Sequence, residues 1–309
     1  MKIVMISPNY DTRAWEDALW NENPDLEIEV YPEDTDRENT DFVLAWNPPK
    51  DVFDKYPNLK VVASMGAGIR HITKNKSLNA EVIVTKIEDE QLIEDLQYFV
   101  LTSVLNYCRN IPQYVLQQQQ KNWNRVAYKQ PKETRIGVLG LGNIGLPVAQ
   151  ILAKNNFKVS GWSNSEKEIE SINTFAGEDG LSAFLKDLDV VVCLLPLTDD
   201  TEDILNEDLF SKMPKGAYLI NVGRGAHLNE SDLLEALETE QLSGAALDVF
   251  QDEPLPKDHP FWENEKITIT PHTASVTNPA SVANQITENY LRLKEGKELK
   301  HIISRKKGY

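Results

Sequence analysis

Short runs of β-branched and other apolar residues alternate along the chain with amphipathic segments. KIVMIS from Lys2, DFVLAW ending at Trp46, LKVVAS ending at Ser64 and EVIVTK around Ile83 predict strands, and the periodic stretches between them predict helices. This is the alternation of a parallel α/β sheet. A longer periodic stretch follows, with Ile93, Leu96, Tyr98, Val100, Leu101, Val104, Leu105 and Tyr107, and predicts a helix that leaves this first unit. The polar segment Gln117 to Arg125, with four consecutive glutamines and Trp123, reads as an exposed arm or linker.

A second series begins at RIGVLG and continues through FKVSGW, DVVVCLLP, AYLINVG, AALDVF and ITITPH. Six strand candidates in succession predict a doubly wound sheet. After Pro279 the helical period returns with Val282, Ile286, Tyr290, Leu291 and Leu293, in a helix expected to rejoin the first domain.

The length of 309 residues fits two domains, and 41% hydrophobic residues supply a sizeable core. The net charge of −16 argues against nucleic acid as a partner, because so acidic a surface repels a phosphate backbone. An anionic substrate would need a local positive site set against that field. The basic tail of Arg305, Lys306 and Lys307 reads as a solvated chain end. Cys108 and Cys193 give neither a disulfide framework nor a metal-ligand cluster, and Cys193 inside VVVCLLPL reads as a packed core thiol. The opening MKIVMISPNY has too short an apolar stretch for a secretion signal, and no run approaches the ~20 apolar residues of a membrane span. The expectation is a cytoplasmic protein with no membrane partner and no metal.

Gly140, Gly142 and Gly145 form G-L-G-N-I-G directly after the strand RIGVL and directly before a helical pattern. In that context the first glycine permits a tight turn and the second lets the backbone approach a pyrophosphate. The third allows close helix-on-strand packing, and the helix N-terminus offers N–H donors. The motif therefore points to a dinucleotide. The next strand ends in Trp162, Ser163, Asn164, Ser165, Glu166 and Lys167, with no carboxylate at Ser163 to meet ribose hydroxyls. Hydroxyls, an amide and a lysine accept a 2′-phosphate, which favours NADP over NAD, while Glu166 works against it and NAD stays possible.

Other chemistry sits at further strand ends: Asn221-Val222-Gly223-Arg224-Gly225, Asp248 through Pro254, and Pro271-His272-Thr273-Ala274. A 2-keto acid needs a cation for its carboxylate and carbonyl, and an acid to protonate the oxygen as hydride reaches carbon. A carboxylate on the acid's other nitrogen fixes its tautomer. Arg224, His272 and Glu253 can fill those roles. His71, His227, His259 and His301 fall in helical, loop or tail contexts, so His272 alone is expected to act.

These motifs, in this order, resemble the D-isomer-specific 2-hydroxyacid dehydrogenases over nearly the whole chain. G-L-G-N-I-G, N-V-G-R-G, L-D-V-F-Q-D-E-P-L-P and T-P-H-T-A all occur. Within that family W-S-N-S-E-K, L-L-P-L-T, A-W-N-P-P and P-H-T-A-S-V-T-N-P are most similar to the glyoxylate/hydroxypyruvate reductase A group. The resemblance implies an α/β protein of two doubly wound parallel-sheet domains. A Rossmann dinucleotide-binding domain, residues 99–284, would be inserted into a flavodoxin-like substrate domain, residues 1–98 and 285–309, with catalysis in the cleft. Arg224 would bind the substrate carboxylate and carbonyl, His272 would be the acid/base and Glu253 its partner.

Asp248 would hold the nicotinamide amide. Asn143 and Ile144 belong to the cofactor loop, and Leu195, Pro196, Thr201, Val222 and Gly223 would line the cofactor. The loop Ser64, Met65, Gly66, Ala67, Gly68 would grip the substrate carboxylate through backbone N–H groups, as two glycines allow, and Trp46 would wall the pocket. Arg70 and His71 depart from the subgroup's pattern after that loop. The region around residues 100 to 125 would form a homodimer. The implied activity is NADPH-dependent reduction of glyoxylate to glycolate and of hydroxypyruvate to D-glycerate. A dehydrogenase for a bulkier 2-keto acid and a non-catalytic dinucleotide-sensing protein are the alternatives.

Overall fold

In the computed structural model, which describes residues 2–8 and 10–304, the apolar runs become the strands of two all-parallel sheets. The tail residues Arg305, Lys306 and Lys307 lie outside the described residues. Contacts divide the chain into two compact units, one drawn from the segments up to Leu92 and from Thr277 onward, the other Ile93–Val276. The sequence put these crossings at 98/99 and 284/285. The first now falls within a continuous helix, and the loop residues Thr277 and Asn278 group with the helix they lead into.

In the first unit β1 (Lys2–Ile6), β2 (Glu27–Val30), β3 (Phe42–Ala45), β4 (Val61–Ser64) and β5 (Ile83–Thr85) lie in the order β2-β1-β3-β4-β5. That is the flavodoxin-like order. β3 and β4 are buried along their whole length, which is why they read as unbroken apolar runs. Alternate residues serve opposite faces. Ile3, Met5, Phe42, Leu44, Val61 and Ala63 pack with Trp15, Ala18 and Leu19 of α1 (Arg13–Glu22) and with Val282, Ala283, Ile286 and Tyr290 of α9 (Pro279–Lys294). Val4, Ile6, Val43, Ala45 and Val62 face Phe53, Tyr56 and Ile72. Tyr290 also accepts the Lys2 N–H at 2.9 Å, so the last helix is bonded to the first strand.

In the second unit the order is β12-β11-β10-β9-β6-β7-β8. The strands are β6 (Arg135–Leu139), β7 (Lys158–Ser163), β8 (Asn173–Ala176), β9 (Val190–Cys193), β10 (Ala217–Asn221), β11 (Leu242–Leu247) and β12 (Ile267–Ile269). The chain runs outward from β6 through β7 to β8, then crosses back to β9 on the other side of β6. Such a switch point leaves a crevice at the strands' C-terminal ends, where ligands of this fold class bind. One core is built from Leu139, Val191, Cys193, Leu219, Ala245 and Leu247 with Phe184, Phe210 and Leu233.

Each sheet holds one strand more than the sequence predicted. The additions, β2 and β8, are edge strands, and EIEV and NTFA are too polar and short to stand out. α3 (Glu90–Cys108) is the predicted crossing helix, and it continues into α4 (Ile111–Gln119). The supposed arm is therefore helical as far as Gln119, and Gln117 is buried with its Oε1 accepting the Asn124 N–H at 3.3 Å. Beyond it Trp123 is 97% exposed. Among the described residues no helix is long and apolar enough to cross a membrane.

Candidate active site

The glycine loop lies at the switch point of the second sheet. Gly140 has φ +99°, and a Cβ there would meet the Leu194 carbonyl oxygen at 2.8 Å, so only glycine turns the chain this close to the end of β9. A Cβ on Gly145 would fall on the Gly140 carbonyl oxygen, which lets α5 (Gly145–Lys154) start hard against the strand. Gly142 differs, because nothing lies within 4 Å of where its Cβ would be. That open face beside the first turn of α5 fits the approach of a pyrophosphate. Asn143 is exposed and Ile144 half-buried at the start of the helix.

β7 ends at Ser163, whose hydroxyl donates to the Ser165 carbonyl at 2.7 Å. Asn164, Ser165 and Glu166 are exposed. Lys167 turns back and donates from Nζ to the Leu141 carbonyl at 2.5 Å, which brings its ammonium onto the glycine loop. The segment after β9 closes on itself: Thr201 Oγ1 donates to the Pro196 carbonyl at 2.7 Å and accepts the Thr198 N–H at 2.8 Å. Leu195, Val222 and Gly223 are buried beneath these loops.

Arg224, Glu253 and His272 come together in this unit. Glu253 accepts the Phe250 N–H on Oε1 at 3.0 Å and the His272 Nδ1 on Oε2 at 2.7 Å. An ionised carboxylate can only accept, so Nδ1 carries the proton of this bond and Nε2 remains for proton exchange. Burial pushes the Glu253 carboxyl up. The bonds from His272 and Phe250 and the charge of Arg224 outweigh that and hold it below its ordinary value. Burial lowers the Arg224 pKa, and the Glu253 charge opposes the shift. The arginine's Nη1 donates to the Gly223 carbonyl at 2.6 Å.

The glycines that bracket Arg224 serve packing. A Cβ on Gly225 would fall on the Phe250 backbone, so this contact sets the arginine's turn directly against the loop that carries Glu253. A Cβ on Gly223 would lie 2.9 Å from the His227 ring. His227, read from the sequence as an incidental loop residue, is completely buried in the turn after Arg224. Its spacing was the available signal, since a side chain following by three residues can reach back to a backbone N–H.

Asp248 is also buried, and it organises the loop that holds His272. Its Oδ1 accepts the Thr270 hydroxyl at 2.6 Å and the Thr273 N–H at 2.9 Å, and its Oδ2 accepts the Ala274 N–H at 2.9 Å. His272 itself has φ +53° and donates its N–H to the Asp248 carbonyl at 2.9 Å. A histidine in this sparsely populated backbone region needs such surroundings to hold it there.

In the first unit the loop after β4 is bonded internally. Ser64 Oγ donates to the Gly68 carbonyl at 2.9 Å and accepts the Gly66 N–H at 3.2 Å, while the Met65 N–H goes to the Ala45 carbonyl at 3.1 Å. A Cβ on Gly66 would lie 2.5 Å from the Trp46 ring, so the indole lies flush against the loop. The His71 ring meets the indole edge-on, with centroids 4.5 Å apart. Ala67 and Gly68 are partly exposed.

Comparison with known proteins is consistent with this geometry. Residues 101–274 match the family described as D-isomer specific 2-hydroxyacid dehydrogenase, NAD binding domain. The chain is 38% identical to glyoxylate/hydroxypyruvate reductase A of Serratia proteamaculans (strain 568), with 100% of both chains covered. Its fold is similar to a D-isomer specific 2-hydroxyacid dehydrogenase of Xanthobacter autotrophicus Py2 in complex with NADPH and MES. There the TM-score is 0.93 at 34% identity, over 100% of this chain and 99% of the other. It is also similar to the NADPH-dependent glyoxylate/hydroxypyruvate reductase of Sinorhizobium meliloti in complex with NADP and sulfate, at TM-score 0.93 and 31% identity over 100% of both chains.

Proposed function

The chain belongs to the D-isomer specific 2-hydroxyacid dehydrogenase family, and from that premise we propose that it is an NADPH-dependent reductase of small 2-keto acids. Its substrates on this reading are glyoxylate and hydroxypyruvate, its products glycolate and D-glycerate. The observation that carries the reading is the 2.7 Å bond between Glu253 and His272 in the unit that also holds Arg224.

When bound along the glycine loop, a nicotinamide cofactor would supply the hydride for the substrate's carbonyl carbon. Arg224 pairs with the substrate carboxylate and polarises the carbonyl, and its charge is worth most where water is displaced. His272 holds its proton at Nε2 and delivers it to the carbonyl oxygen as negative charge develops there. Glu253 keeps the ring oriented through its 2.7 Å bond to Nδ1. In the first unit, the Met65 N–H is engaged by the Ala45 carbonyl at the end of β3 and the Gly66 N–H by Ser64 Oγ, so Ala67 and Gly68 are the proposed carboxylate donors, with Trp46 lining the substrate.

The open face at Gly142, with Gly140, Asn143, Ile144 and Gly145, fits the cofactor pyrophosphate. Ser163, Asn164, Ser165 and Lys167 fit a 2′-phosphate, and Leu195, Pro196, Thr201, Val222 and Gly223 line the remainder. Asp248 Oδ2, which accepts the Ala274 N–H, has acceptor capacity left for the nicotinamide amide.

We further read the exposed apolar residues Tyr98, Leu105, Ile111, Val115 and Trp123 as the face of a homodimer. Charge introduced there, as in Val115→Asp, should then lower the mass in solution. Cys108 and Cys193 are buried unpaired thiols, Cys193 with its pKa pushed up to about 12 by burial, which suits the reducing cytoplasm.

Initial rates with hydroxypyruvate and glyoxylate, using NADPH and NADH in parallel, test the whole proposal. Turnover with kcat/KM at least about tenfold better for NADPH, a difference of about 1.4 kcal/mol, is expected. A preference for NADH would keep the reaction and overturn the assignment of the Ser163 to Lys167 loop. Turnover of neither substrate would overturn the reaction itself.

A further inference from the structure

We infer that His227 is a positioning residue that holds the Arg224 backbone in place for carboxylate binding, an inference that rests on the reading of Arg224 as the substrate clamp. The two residues bond reciprocally. The Arg224 N–H donates to His227 Nδ1 at 3.0 Å, and the His227 N–H donates to the Arg224 carbonyl at 3.1 Å. Asn221 completes the arrangement. Its Nδ2 donates to the same Arg224 carbonyl at 3.2 Å, and its Oδ1 accepts the Gly223 N–H at 3.2 Å. Both polar groups of the Arg224 residue's own backbone are thus held by neighbours.

His227 is completely buried, and its backbone carbonyl accepts the Leu205 N–H at 2.8 Å, which ties the turn to the segment before α7 (Glu207–Ser211). Gly223 is what admits the ring, since a Cβ there would be 2.9 Å from Nδ1. A residue of similar bulk without an acceptor would fill this volume but leave the Arg224 N–H without its acceptor, at the cost of desolvation. For Nδ1 to accept, the neutral ring must carry its proton on Nε2. The chemistry asked of position 227 is therefore an acceptor fixed at the Nδ1 position.

The consequence falls on the guanidinium. Arg224 leaves an extended backbone, φ −145° and ψ 151°, and a small rotation of that peptide is magnified along the side chain. Misplacement of a substrate-positioning group by about 1 Å costs on the order of a hundredfold in rate. His227 touches neither substrate nor reacting atoms on this account and acts only through Arg224.

A double-mutant cycle tests this, read as KM for hydroxypyruvate, KM for NADPH and kcat, with a melting curve for each variant. His227→Leu should raise the hydroxypyruvate KM by about tenfold or more and leave the NADPH KM within about twofold. His227→Asn, whose Oδ1 takes the place of Nδ1, should recover most of that loss. In an Arg224→Ala background His227→Leu should cost nothing further, because its route of action is gone. Wild-type kinetics in His227→Leu, or the same loss in both backgrounds, would overturn the inference while leaving the role of Arg224 intact. A wild-type hydroxypyruvate KM in Arg224→Ala alone would instead overturn that role. Should His227→Leu fail to fold, His227→Asn and His227→Ala decide the matter. Both lose volume and only Asn keeps the acceptor, so an equal KM in the two would count against the inference and a several-fold lower KM in Asn would support it.

Discussion

His272 Nδ1 lies 2.7 Å from Glu253 Oε2, and the other oxygen of Glu253 is held at 3.0 Å by the Phe250 N–H. The acid's tautomer is therefore set by a carboxylate that is itself fixed to the backbone. Replacing His272 by Asn should lower kcat by about 10²- to 10⁴-fold, the usual contribution of a positioned proton donor, with little change in NADPH affinity. Glu253→Gln should cost less, at least about tenfold. Steady-state kinetics with direct cofactor titration would check both, and a His272→Asn enzyme with near-normal kcat would exclude His272 as the acid.

The same carboxylate predicts a pH dependence of stability. The Glu253 pKa is lowered below its ordinary value of 4.5, so its bonds to His272 and Phe250 stabilise the fold fully at neutral pH. That contribution is lost as the pH falls through the lowered folded-state value. Melting temperatures of wild type and Glu253→Gln should therefore differ at pH 7 and converge as the pH falls below 4.5 and through that lowered value. A gap that widens on acidification would reverse the sign of the shift.

Cofactor choice should turn on the end of β7. A carboxylate at Ser163 would repel a 2′-phosphate and accept ribose hydroxyls, so Ser163→Asp should lower kcat/KM for NADPH by about tenfold or more. The value for NADH should be unchanged or improved. Lys167→Ala should weaken NADPH selectively, by a smaller factor. Equal losses with both cofactors would mean that the loop supports the fold and does not read the phosphate.

Gly225 has no space for a side chain, because the Phe250 backbone occupies it. Gly225→Ala must push apart the loops that carry Arg224 and Glu253. Destabilisation of about 1–3 kcal/mol is expected, together with a loss in kcat/KM for the keto acid. Chemical denaturation beside kinetics would show both, and a variant as stable and active as wild type would contradict the packing.

The alternation of buried runs and helical stretches was enough to read two parallel α/β units from the chain, because strands covered on both faces stay apolar throughout. It missed β2 and β8, where an edge position leaves side chains half-exposed and the pattern fades. The strand-end motifs pointed to Arg224, Glu253 and His272, because side chains at those ends converge on one crevice in this class of sheet. Local sequence also carried the three distinct glycines of the cofactor loop.

Only the tertiary structure decided what each polar group is bonded to. Asp248 and His272 are far apart along the chain, and nothing in either segment reveals that the aspartate's carboxylate bonds to the loop holding the histidine. His227 looked incidental because burial is a property of the assembled core, and a histidine's neighbours in sequence do not disclose it. Hydrophobic periodicity is written into the order of residues, so it survives reading along the chain. The pairing of buried donors and acceptors is settled by distance in space, so it appears only once the strands have brought their ends together.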